Sequence, residues 1–283
     1  MTDPMDAPPP DASGPDGPTP SPEEPGRNDH YPGLRGARLI PTRASRLTYD
    51  HLNAVTDHQT IACIHGATGL GKNLAVDVAL RSLAPGRAVQ LQIPDPTVTK
   101  IRTILLHRLD PDSEYTARAD QADALLLDLL ARTPHVLVFD EAQRLSGQCL
   151  DYLTTLWDDD STRFALVFVG AENTRLRISH RPALASRIER WQHYQRLTVK
   201  EVLTHIPDYH PPWKNTDPAT VRLVDTMAAH GNWRHWARIT LTLQDHLAEH
   251  PDDEITIELL RDLLDPLFNG EDDSGWTDPD DPG

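Results

Sequence analysis

Residues 66–72, Gly66-Ala67-Thr68-Gly69-Leu70-Gly71-Lys72, have the spacing G-x-x-x-x-G-K of a phosphate-cradling loop. Glycines let backbone N–H groups close around a phosphate, and a helix starting there adds the positive end of its dipole. Lys72 supplies a compact positive charge for the β- and γ-phosphates. Such a pattern means most with a strand before it and a helix after it. Here an apolar run at 60–64 precedes the loop and a helix-forming segment at 74–80 follows. Nucleotide binding is the chemistry implied. The residue after the lysine is ordinarily Ser or Thr, whose hydroxyl ligates Mg2+. Here it is Asn73. Its amide oxygen can reach the metal directly or through water; the other reading is a site that binds nucleotide and turns it over slowly or not at all.

A second cluster stands at the end of another apolar run, His135-Val136-Leu137-Val138-Phe139-Asp140-Glu141. Parallel strands buried on both faces read as continuous apolar stretches, and ligands bind at their carboxyl ends. Asp140 is therefore expected to hold Mg2+, and Glu141 to act as general base on an attacking water. Alone, the pair reads rather as an acidic helix cap, with Asp140 capping the helix that follows; with the phosphate loop upstream, the catalytic reading is favoured.

Positioning these residues requires strands and helices in a definite order. A helix is expected at 44–55, then strands at 60–64 and 88–93, helices at 98–109 and 119–132, and the acidic strand at 135–139. A helix to Trp157, a strand at 164–169 and a short strand at 194–197 follow. An extra strand thus intervenes in the chain between the phosphate-loop strand and the acidic strand, the arrangement in which a Glu activates water. From about Thr198 the pattern is helical at 199–205, 217–229, 233–248 and 255–265, as in a helical lid on an α/β core.

The 283 residues carry a net charge of −16. That charge is concentrated at the ends, with −6 in residues 1–30 and −6 in 271–283, leaving −4 for 31–270. The acidity therefore does not exclude a nucleic-acid partner for the folded part. The first 32 residues hold ten prolines and few large apolar side chains, so 1–32 and 269–283 are expected to be disordered acidic arms flanking a core at 33–197 and a lid at 198–268. No window has the length of a membrane span, and no secretory signal pattern is present. Cys63 and Cys149 read as small buried hydrophobes in a reducing, cytoplasmic compartment. Fourteen histidines show no His-Glu-x-x-His or paired-cysteine spacing, so no zinc site is expected.

The order of features resembles that of AAA+ ATPases: phosphate loop, Asp-Glu-Ala strand end, a fourth strand with a polar tip, Ser186-Arg187, then a helical lid with an arginine. Residues 139–145 and 167–172 more narrowly resemble bacterial transposition-helper ATPases of the Mu B and Tni B type. The resemblance spans about residues 40–250. It implies a P-loop AAA+ core, a parallel sheet with helices on both faces, followed by a small all-helical lid. It further implies ATP and Mg2+ as cofactors, a homo-oligomer, double-stranded DNA, and a transposase or integrase as partner.

Carried over residue by residue, the resemblance makes Asn173 the γ-phosphate sensor, preferred over Glu172 because an amide can donate to phosphate. Arg187 falls where a neighbour-reaching arginine finger stands, with a solvated surface arginine as the equal alternative. His230-Gly231-Asn232-Trp233-Arg234 resembles the lid segment whose arginine meets γ-phosphate, which selects Arg234, with Arg238 a weaker candidate. Lys100, Arg102 and Arg108, on the helix after the second strand, are the DNA-contact candidates; an ordinary solvated helix face is the alternative. The implied function is an ATPase that assembles on DNA and assists a transposase. The competing reading is a nucleotide-dependent regulatory switch acting on protein with little turnover.

Overall fold

The computed structural model describes residues 33–111 and 118–268. The acidic arms expected at 1–32 and 269–283 lie outside these residues. Five parallel strands form one sheet: β1 (Ile61–Gly66), β2 (Ala88–Leu91), β3 (His135–Phe139), β4 (Phe164–Gly170) and β5 (Ile188–Tyr194), in the spatial order β2-β3-β4-β1-β5. In space it is β4 that separates the phosphate-loop strand from the acidic strand; β2, which lies between them in sequence, occupies the sheet edge.

β1 and β4 are buried along their whole length, and their alternating side chains feed two different cores. Ile61, Cys63, Leu137, Phe139, Leu166 and Phe168 pack on one face with α3 (Val98–Leu109), α4 (Ala119–Arg132) and α5 (Gly147–Asp158). Ala62, Ile64, Val136, Val138, Val167 and Val169 pack on the other with α1 (Arg43–His58) and α2 (Lys72–Leu83). The period of two along each strand thus divides one apolar run between two helical layers. Helix starts are fixed by side-chain caps. The hydroxyls of Thr42, Thr97 and Ser146 accept from Ser45, Lys100 and Cys149 N–H, each capping worth about 1 kcal/mol.

β5 departs from the expected 194–197 strand. It runs earlier and longer, and only Ile188, Gln192 and Tyr194 of its seven residues are buried. A half-buried edge strand carrying Glu189, Arg190 and His193 lacks the apolar signature by which the central strands are recognised. β2 likewise stops at Leu91 rather than residue 93. Two short helices, α6 (Thr174–Ser179) and α7 (Pro182–Ala185), connect β4 to β5.

Beyond Leu197 the chain is helical: α8 (Val199–Tyr209), α9 (Pro218–Val224), α10 (Trp233–Glu249) and α11 (Ile257–Phe268). Thr198 and Glu201 form a reciprocal capping box at the start of α8. These helices enclose their own core, in which Trp213 and Trp236 meet edge to face with ring centroids 5.3 Å apart. The single helix expected at 217–229 is not continuous. After Val224 the chain widens into a π-helical turn, Asp225–Ala229. The buried Asp225 carboxylate accepts from Gly231 N–H at 2.8 Å and from Trp236 Nε1 at 3.1 Å. That turn ends on two left-handed residues, His230 and Gly231, and delivers the chain to Asn232, the cap of α10. Such turns recur at functional sites.

Candidate functional site

The phosphate loop leaves β1 at Gly66 and enters α2 at Lys72. Gly66, Gly69 and Gly71 all have positive φ. At Gly69 the requirement is double. Its φ is +84°, and a Cβ there would stand 2.4 Å from Asn232 Oδ1, on the lid. The lid segment lies directly against the loop. Asn232 Nδ2 donates to Thr68 O at 3.0 Å, Arg234 N–H donates to Gly69 O at 3.1 Å, and Asn232 Oδ1 accepts that same Arg234 N–H at 2.9 Å. Arg234 is thereby anchored through its backbone, while its side chain remains exposed beside the loop. Asn232, not assigned a role from sequence, is the residue that joins the two parts; its place three residues past the end of the π-turn is the signal that marks it.

Lys72 is buried, and its ammonium donates to Gly66 O at 2.9 Å and Ala67 O at 2.6 Å. Burial lowers its pKa, and the carboxylates of Asp140, Glu141 and Glu172 oppose that shift. Asn73 Nδ2 donates to Asp140 Oδ2 at 2.7 Å, joining loop and acidic strand across 67 residues of sequence. The other carboxylate oxygen of Asp140 accepts from Glu141 N–H at 2.8 Å. Burial pushes the Asp140 pKa up, with hydrogen bonds and the charge of Lys72 pulling the other way.

Glu141 sits in the left-handed region, φ +54°, a conformation costing a non-glycine residue about 1–2 kcal/mol. It is held there by the turn Ala142–Arg144 and by Gln143, whose Nε2 donates to Glu141 Oε2 at 2.6 Å. Gln143 Oε1 in turn accepts from Ala171 N–H at 2.9 Å and from the Thr174 hydroxyl at 3.3 Å. One glutamine thus ties the carboxylate to the tip of β4. Sequence reading passed over it because its partners are 28 and 31 residues away. Asn173 stands at that same tip, exposed, as the residue before α6.

Residues 55–178 match a family model described as an AAA domain. The fold resembles that of the Aeropyrum pernix ORC2 protein in its ADPNP–ADP complexes, with a TM-score of 0.60 at 16% identity over 84% of this chain and 70% of that one. It also resembles the Thermotoga maritima RuvB Holliday junction branch migration motor, with a TM-score of 0.58 at 17% identity over 81% of this chain and 70% of that one. For Cdc6p from Pyrobaculum aerophilum the TM-score is 0.58 at 17% identity, over 76% of this chain and 65% of that one. No curated protein matches the chain by sequence.

The core has the AAA+ fold. The remaining candidates lie on α3, after α7 and on α10. Arg187 follows α7 and its Nε donates to Asp158 Oδ1 at 2.6 Å, both side chains being about one-third exposed. A pair this exposed is worth about 0–1 kcal/mol, and Arg187 Nη1 also donates to Ala183 O at 2.5 Å. Arg238 lies one turn beyond Arg234 on α10. On α3, Lys100 and Arg108 are exposed, and Lys100 Nζ reaches Asp95 O at 3.0 Å. Arg102 does not join them. It forms two hydrogen bonds with Asp123, at 2.6 and 2.8 Å, and lies over the Tyr152 ring, 5.4 Å from its centroid. Its side chain is only 12% exposed, and these contacts fasten α3 to α4 and α5. Among the described residues no helix is long and apolar enough to cross a membrane.

Proposed function

We propose that this protein binds ATP with Mg2+ and hydrolyses it, and that it does so as a homo-oligomer assembled on double-stranded DNA. The observation that carries the reading is the Asn73–Asp140 contact, which brings the loop and the two acidic residues to one point, with Glu141 clamped beside them. The ORC2 structure of similar fold contains ADPNP and ADP, which supports a nucleotide at this loop.

The residues around Asp140 fit a hard divalent cation. A carboxylate raised in pKa by burial gains from a neighbouring positive charge, and Asn73 adds an amide oxygen suited to Mg2+. Asp140 and Asn73 would hold the ion, which would supply positive charge to offset the negative charge developing on the β- and γ-phosphates. Lys72 exchanges its loop carbonyls for phosphate oxygens. Glu141 takes the proton of an attacking water, a role its fixed geometry favours. Asn173 and Arg234, at the β4 tip and on the lid, sense the γ-phosphate from two sides. Arg187 leaves Asp158 to meet the nucleotide of a neighbouring subunit.

DNA as partner is supported by Lys100 and Arg108 on one exposed helix and by the branch migration motor among proteins of similar fold. The narrower reading, assistance to a transposase or integrase, rests on residues 139–145 and 167–172. A regulatory switch with little turnover is the second reading, favoured by Asn73 at the Mg2+ position. Sedimentation with ATP and duplex DNA separates them. The proposal expects a species larger than a monomer that retains DNA, with affinity falling steeply as salt rises because phosphate contacts release counterions. Charge reversal at Lys100 and Arg108 should weaken that retention. Arg187→Ala should abolish cooperative turnover, and mixing it with Glu141→Gln should restore part. A monomer under these conditions, with no DNA retained at low salt, leaves the switch.

A further inference from the structure

The carboxyl end of β1 carries a second group of side chains that the phosphate chemistry does not use. His65 directly precedes the loop glycine Gly66 and faces Gly170 of β4 and His193 of β5 in the sheet register. It is only 4% exposed, and neither of its ring nitrogens has a hydrogen-bond partner among the described residues. A buried polar atom left without a partner is destabilising. Its ring stacks on His193 with centroids 4.9 Å apart. His193 Nε2 in turn stands 2.7 Å from Glu172 Oε1, at the tip of β4. One ligand atom from each of His65, Glu172 and His193 lies within 4.8 Å of the other two.

We propose that His65, Glu172 and His193 bind a divalent transition-metal ion, zinc being the best match, immediately beside the phosphate loop. Two imidazole nitrogens and one carboxylate oxygen are a zinc-type donor set, with a water completing four-coordination; the imidazoles disfavour Mg2+ and Ca2+. Metal–ligand bonds of about 2.0–2.2 Å place tetrahedral ligand atoms about 3.4 Å apart. His193 and Glu172 are exposed enough to rotate into that distance around the fixed His65. Burial and the neighbouring His193 lower the pKa of His65. Glu172 supplies the negative charge opposite Lys72 and Arg175, and Arg175 is itself drawn over the Trp191 ring. The ion would engage one ring nitrogen of His65 and fasten the tip of β4 to β1 and β5. Glu172 precedes Asn173, so metal occupancy and the position of Asn173 share one backbone segment. The site escapes any local spacing rule because its ligands come from three strand ends 107 and 21 residues apart.

A second group, His246, His250 and Asp253 at the end of α10, offers a competing surface site. The test therefore uses the full chain carrying His246→Ala and His250→Ala, without nucleotide and with Mg2+ in excess, titrated with Co2+. The expected result is one equivalent bound with the visible absorption of a four-coordinate site, displaced by one equivalent of Zn2+. His193→Ala and Glu172→Gln, both at exposed positions, should each weaken Co2+ binding at least about tenfold, the effect that even outer-shell partners exert. Circular dichroism of the same samples establishes that they are folded. Absence of a stoichiometric Co2+ spectrum overturns the proposal. So does a spectrum unchanged by His193→Ala, or one lost only on Asp140→Asn.

Discussion

Gln143 donates to the Glu141 carboxylate at 2.6 Å while its own carbonyl oxygen accepts from Ala171 N–H at 2.9 Å. The general base of the proposed reaction is thus positioned by the strand tip that carries Asn173. One side chain links that tip to Glu141. Gln143→Ala should lower ATP turnover about tenfold or more, the worth of a hydrogen bond to a charged group. The KM for ATP should stay unchanged, since the hydrogen bonds of Gln143 go to Glu141, Ala171 and Thr174. Steady-state kinetics decides this; a raised KM with intact kcat would move Gln143 from positioning the base to binding the nucleotide.

Asn73 gives a prediction in the opposite direction. Its amide donates to Asp140, whereas a hydroxyl can donate and accept at one atom. Asn73→Thr should lower the Mg2+ concentration needed for half-maximal activity and raise turnover. Activity titrated against Mg2+ checks it. A slower enzyme with unchanged nucleotide affinity would mean that asparagine is adapted to this site.

The contacts of the lid give Asn232 and Arg234 different parts. Asn232 holds Thr68 O through its side chain, while Arg234 holds Gly69 O through its backbone. Asn232→Ala should therefore loosen the lid from the loop and remove the cap of α10, costing about 1 kcal/mol or more, visible as a lower Tm without nucleotide. Arg234→Ala keeps its backbone bond, so its apo Tm should stay within about 1 °C of wild type, while the rise in Tm on adding ATP shrinks. Thermal melts with and without ATP test both; equal apo losses in the two variants would contradict the division.

Much of this site is legible in the chain because its parts are local. The loop is a contiguous run between a strand and a helix, and the acidic pair ends a strand whose apolar residues continue without a break. The limits of α3, α4 and β3 coincide with those expected from the sequence. What was not legible depends on partners distant in sequence. Arg102 looks like any solvated arginine until Asp123 and Tyr152 are brought to it. β5 is written in polar residues because one of its edges is open. Asn232 and Gln143 act on backbone groups, which carry no residue-type signature, and the break after Val224 depends on Asp225 meeting Trp236.

The central claim is that the paired acidic residues make this phosphate loop a hydrolytic site. Binding and hydrolysis of ATP measured on the same Glu141→Gln sample test it most directly. The account predicts that ATP affinity is retained and that hydrolysis falls at least about a hundredfold, the usual worth of a general base. Undiminished turnover in Glu141→Gln would contradict it.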